Sequence, residues 1–141
     1  MNYSLFPPNY YDIGKQFVAH YYDCLQTNKA VISSLYHENA LLTYEGIELQ
    51  GRLAIDNKYK NLPFQRLQVA VTNADFHPIE DGVSILVMGQ LQSDEDKPLS
   101  FCDSFILKKN PDNSFSITNS IFRLLPLMTV SLTYIAALMA D

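Results

Sequence analysis

Acid–base chemistry in this sequence would have to centre on Asp103. In the run FCDSF at 101–105 the carboxylate shares a strand phase with Phe101 and Phe105. It therefore points into the same apolar space as two rings, where desolvation raises a carboxyl pKa. An acid held near neutrality suits proton abstraction next to a carbonyl, with Tyr44 as a hydrogen-bond donor. No His–Asp or Asp–Tyr pair at a diagnostic spacing adds to that chemistry. His20, His37 and His77 are scattered and have no ligand spacing, so neither metal nor cofactor is expected. Cys24 and Cys102 lie far apart without a CxxC, which reads as two reduced thiols.

The second set of residues suits binding rather than catalysis. Tyr44 and Glu45 stand side by side just before Gly46, where the chain must turn. A ring offers an apolar wall and a carboxylate one fixed charge, which together would make the lip of an apolar pocket. Asp94, Glu95 and Asp96 form an acidic hairpin whose plain reading is a solvated turn. The chain has a formal net charge of -5 and no run of Lys or Arg. Such a surface repels phosphate backbones, which argues against nucleic acid, and attracts partners with basic patches.

The elements that would hold these residues fit one domain. At 141 residues and 48% hydrophobic content the chain can bury roughly 70% of its unfolded surface. Ile13, Phe17, Tyr21, Cys24 and Leu25 make the apolar stripe of a helix over about 10–27, with Asn9 and Asp12 spaced as a capping box. A shorter helix capped at Thr27 or Asn28 is expected to bury Val31 and Leu35. Residues 43–65 read as strand, Glu-Gly turn, strand and helix. Ile55, Tyr59 and Leu62 share a face of that helix, and Pro63 ends it. From Leu67 the period becomes that of strands, with further long strands expected at about 83–92, 99–109 and 114–125. Helices first and then mostly sheet is an α+β order, a bent sheet wrapping the helices. In the strand at 83–92, Val83, Ile85, Val87 and Leu91 form one face, while Leu86 and Met88 lie on the other with Ser84, Gln90 and Gln92. Apolar residues on both faces require two covers, and a second copy of the sheet would supply the one the helices cannot.

Five blocks, DIGKQFVAHYY at 12–22, LLTYEGIELQG at 41–51, LPFQRLQ at 62–68, GQLQSDED at 89–96 and TNSIFRL at 118–124, resemble the nuclear transport factor 2 family in order and spacing. The resemblance covers about residues 9–125. It implies a cone of N-terminal helices packed in a strongly curved antiparallel sheet, which dimerises through the sheet, here through Leu86, Met88 and Ile121. It also implies a non-enzymatic carrier of the GTPase Ran in its GDP form, docked by a Ran phenylalanine inserted into the cavity. Site residues carried over are Tyr44 and Glu45 at the mouth and Phe122 and Arg123 as cavity wall. Arg66 and the hairpin acids Asp94 and Asp96 complete the Ran site, with Glu45 meeting a lysine and the two aspartates an arginine. Tyr10 stands where the family docks Phe-x-Phe-Gly nucleoporins through a Trp, and Tyr44 likewise replaces a Trp. Folds of this cone type also host isomerases and dehydratases, the alternative in which Asp103 would act. A third alternative is a heterodimer partner of the mRNA-export kind, which should lack the acidic set.

The resemblance implies residence in cytoplasm and nucleus and at the nuclear envelope and pore. The opening MNYSLFPPNYY lacks the charge and apolar core of a signal peptide. Residues 1–125 read as the domain and 126–141 as an apolar extension. From Leu124 to Ala140 there are 17 residues without a charge, at the short limit for a bilayer of ~30 Å. Pro126, Thr129, Ser131 and Thr133 weaken a spanning segment, so an added helix from about Thr129 is expected instead of a membrane anchor.

Overall fold

The computed structural model describes residues 6–125 and 137–140. Helix α1 (Tyr10–Thr27) leads into a 3₁₀ segment (Lys29–Leu35), strands β1 (Tyr36–Tyr44) and β2 (Ile47–Gln50), and helix α2 (Arg52–Lys60). Four long strands follow: β3 (Leu67–Ile79), β4 (Gly82–Ser93), β5 (Leu99–Lys109) and β6 (Phe115–Leu125). They form one strongly curved, unclosed sheet in the order β2-β1-β6-β5-β4-β3. Every neighbouring pair is antiparallel except β1 and β6, which run parallel. No hairpin joins those two. About half of the chain lies between them, so their relative direction is free of turn geometry.

The expected α1 limits hold, but its buried face is Gly14, Val18, Tyr21, Tyr22 and Cys24, with Ile13, Phe17 and Leu25 at the flanks. Gly14 explains the rotation. A Cβ there would lie 2.2 Å from Cδ1 of Phe76, so the bare backbone lets α1 press onto β3. Asn9 precedes the helix without a side-chain cap bond, so the expected capping box does not form. In the next segment Ile32 is fully buried and Val31 exposed, the reverse of the expectation for Val31. The cause is pitch: at three residues per turn Ile32 and Leu35 share a face, whereas a helix of 3.6 would pair Val31 with Leu35.

Along β4 and β5 burial alternates, with Val83, Ile85, Val87, Phe101, Asp103, Phe105 and Leu107 facing the helices. Leu86, Met88 and Ile121 point the other way and are 39%, 43% and 50% exposed. Leu86, Ser104 and Ile121 form one row across the convex face, and Met88, Cys102 and Arg123 the next. Both cysteines are free thiols. Most of the tail, including the start of the helix expected from Thr129, lies outside the described residues; residues 137–139 are helical and exposed. Among the described residues no helix is long and apolar enough to cross a membrane.

Candidate functional site

The curl of the sheet leaves a cavity of about 270 Å³ between its concave face, α1 and the chain leaving α2. Each wall has a local cause. Glu45 and Gly46 both take positive φ (50° and 82°), the conformation of a tight two-residue hairpin, and so place Tyr44 at the end of β1. Tyr44 then stacks on Phe122, with ring centroids 4.7 Å apart. On the opposite side, the Lys29 ammonium donates to the carbonyl of Leu62 at 2.7 Å and lies over the Phe64 ring at 4.3 Å. This contact holds the exit from α2 as a wall. Leu91, Leu99 and Asp96 stand at the open end, and Phe101 and Asp103 deeper in.

The floor is polar. Asp103 is 4% exposed, and its Oδ2 accepts a hydrogen bond from the Tyr22 hydroxyl at 2.6 Å. Its Oδ1 has no hydrogen-bond partner among the described residues. Among the described residues no fully buried side-chain oxygen is left unsatisfied, so Oδ1 is open to the cavity that Asp103 lines. Burial pushes the Asp103 carboxyl up to about 7, against the Tyr22 hydrogen bond, which lowers it. Beside it the hydroxyls of Tyr21 and Tyr59 are 2.6 Å apart, Tyr59 and Tyr36 3.0 Å, and Tyr36 and Ser120 2.8 Å. Burial raises the tyrosines well out of the neutral range, Tyr36 and Tyr44 to about 12. Burial likewise raises Tyr21, Tyr22 and Tyr59.

The rim carries the sequence-identified acids. Glu45 is exposed, and its Oε1 accepts from the backbone N–H of Leu124 across the cavity edge. Asp94 Oδ1 accepts from the N–H groups of Gln65 (3.1 Å) and Arg66 (2.9 Å), tying the β4–β5 turn to the start of β3. Asp96 lines the mouth, while the exposed Arg66 guanidinium meets Glu95 at 3.5 Å. The structure thus joins Tyr44, Glu45, Phe122 and Asp96 around one opening. Arg123, expected as cavity wall with Phe122, is not part of that wall. Strand alternation turns it to the outer face, where its guanidinium packs against Gly46. Tyr10 is half-buried at the far end of α1, roughly 18 Å along the helix from Tyr22. The floor residues Tyr21, Tyr22 and Tyr59 went unassigned at the sequence level. The only signal is a Tyr-Tyr pair on the apolar side of α1, and nothing local says where hydroxyls from two helices and two strands will meet.

The profile of the Nuclear transport factor 2 (NTF2) domain family matches residues 13–124, most of the chain. The chain belongs to the nuclear transport factor 2 family. A probable nuclear transport factor 2 of Caenorhabditis elegans is 38% identical over 84% of this chain and 95% of its own length. Nuclear transport factor 2B of Arabidopsis thaliana is 37% identical over 79% of this chain and 91% of its own. The structure of nuclear transport factor 2 from Cryptosporidium parvum superposes with a TM-score of 0.82 at 38% identity, covering 85% of this chain and 98% of that one. The fold is therefore that of the nuclear transport factor 2 family, with the curved sheet and helices described above.

Proposed function

We propose that this chain is a non-enzymatic nuclear transport factor, a homodimer that binds Ran-GDP and carries it through nuclear pores by weak Phe-x-Phe-Gly nucleoporin contacts. The relatives' names support the transport role. The observation that carries the Ran reading is the open cavity beside the stacked Tyr44–Phe122 pair, with Asp96 in its lining, Glu45 tied to the lining residue Leu124, and Asp94 in the same turn as Asp96. An inserted phenylalanine gains roughly 2–3 kcal/mol from burial. The acids contribute orientation and on-rate more than affinity. Arg66 belongs to this rim through Glu95, and Arg123 supports it from outside, against the turn that sets Glu45. Tyr10 offers the aromatic surface for nucleoporins, and the exposed Leu86, Met88 and Ile121, on two adjacent rows of the convex face, the dimer contact. Preference for the GDP form follows if only that switch conformation presents the phenylalanine with its basic neighbours.

The test is binding of Ran loaded with GDP or a GTP analogue to the wild type and to Glu45→Lys, with size-exclusion chromatography in parallel. Wild type should bind the GDP form alone, and the reversed charge should weaken binding by at least about tenfold with the dimer intact. Undiminished binding by the variant would show the site is wrong, and a monomeric wild type would remove the homodimer. The isomerase or dehydratase reading draws on Asp103 at the floor. Asp103 and Tyr44 both line the cavity, but the Tyr44 ring is engaged by Phe122 and, at 4.7 Å, by the Lys58 ammonium.

A further inference from the structure

The carrier reading uses the mouth of the cavity and leaves its floor unexplained. An apolar side chain reaching the bottom would cover Asp103 Oδ1 without offering it a hydrogen, an unfavourable burial of an acceptor. The neighbouring hydroxyls pose the complementary problem. Tyr21, Tyr59, Tyr36 and Ser120 make three hydrogen bonds among four hydroxyls, which leaves one O–H without an acceptor inside the network. An acceptor open to the space thus stands beside a network with a spare donor, beneath a neck of aromatic rings. The whole cavity, mouth included, is about 270 Å³, and a cavity of ~150 Å³ holds benzene in an apolar protein core.

We propose that the deep half of this cavity binds a phenol, a ring whose hydroxyl donates to Asp103 and accepts from the tyrosine network while Tyr44, Phe101 and Phe122 enclose its carbons. A hydroxyl is the group that serves both needs at once. An ammonium can only donate, and an ether or carbonyl can only accept. The source is either a free small phenol or a tyrosine side chain of a bound protein. The assignment does not depend on Ran binding, because it concerns the floor and not the rim.

Binding of 4-ethylphenol, 4-ethylanisole and ethylbenzene is measured by calorimetry at pH 8, with backbone NMR shifts to locate the site. The phenol should bind at least about tenfold more tightly than either analogue, since a hydrogen bond to a buried charged acceptor distinguishes them. Shifts should centre on Phe101, Asp103 and Phe122. In Asp103→Asn, where an amide N–H₂ replaces the open oxygen, the advantage over 4-ethylanisole should disappear without loss of anisole binding. A second readout needs no variant. Between pH 6 and 8 phenol affinity should rise, because the donor favours the carboxylate, and ethylbenzene affinity should fall, because a dry cavity favours the acid. The titratable groups around Asp103 are Tyr21 and Tyr22 from α1, Tyr36 and Tyr44 from β1, Tyr59 from α2, Cys102 on its own strand, and Asp96 at the mouth. Burial raises all five tyrosines and the Cys102 thiol. The capped tripeptides Ala-Tyr-Ala and Ala-Phe-Ala separate the sources. A Tyr over Phe preference that needs Asp103 assigns a protein's tyrosine, and a preference confined to 4-ethylphenol assigns a free phenol. Equal binding of the three small ligands by wild type, a phenol advantage that survives in Asp103→Asn, or shifts remote from the floor would overturn the proposal. Ran-GDP binding by the same samples reports on the carrier reading separately, so either can fail alone.

Discussion

Two groups of carboxylates in this molecule have opposite physics. At the mouth, Glu45, Asp94 and Asp96 project from turns. Two of them hold the rim together by accepting from backbone N–H groups, Glu45 from Leu124 and Asp94 from Gln65 and Arg66. Deeper in, Asp103 sits between Phe101 and Phe105 on β5, with Tyr22 as its hydrogen-bond partner. Water screens the first group, so their charge acts at a distance on an approaching partner. The second has lost its water, and its cost is local. A carboxylate's role here follows from depth, not from residue type.

The largest effect that would break this contrast comes from Asp103. Its folded-state pKa of about 7 lies above the ~3.9 of an unfolded aspartate. Between those values the folded state holds a proton that the unfolded state has released, so stability falls as pH rises. The loss starts near pH 4 and is complete above about pH 7, on the order of 4 kcal/mol. Asp103→Asn should therefore be the more stable protein at pH 8, by a few kcal/mol, and about equal to wild type at pH 4. Urea unfolding at the two pH values measures this, and a less stable variant at pH 8 would mean the floor is wetter than described.

A smaller effect sharpens the contrast at the rim. Asp94→Ala removes the acceptor for two backbone N–H groups and should cost about 1–2 kcal/mol. Asp94→Asn should cost much less, because it keeps an Oδ1 and tolerates the positive φ of 52°. Thermal unfolding of the pair distinguishes a turn-holding carboxylate from a merely solvated one. Smallest of all, Arg66→Ala should leave the unfolding midpoint within error. Its 3.5 Å contact with Glu95 joins two exposed side chains. A clear loss there would show that the rim charges act on the fold as well as on a partner.

Much of this architecture is legible in local sequence. The α1 limits, the inward Ile55 and Tyr59 of α2, and the long strands follow from periodicity, which is what backbone geometry imposes on a half-buried chain. Leu62, expected on the same helix face, is buried beyond a helix that already ends at Lys60. The inward direction of Asp103 is legible for the same reason, since strand alternation ties it to Phe101 and Phe105. The capping box at Asn9 and the burial of Val31 fail because each depended on a local geometry, a cap rotamer and a helical pitch, that neighbours override.

The sequence alone determined which residues face inward along the long strands β4 and β5, and it carried enough of the family's pattern to give the fold. Tertiary structure alone decided which inward residues meet. Tyr22 and Asp103 are 81 positions apart, and Tyr36 and Ser120 are 84 apart. Periodicity fixes the direction of a side chain, but the curl of six strands fixes its distance from everything else, and a hydrogen bond depends on distance.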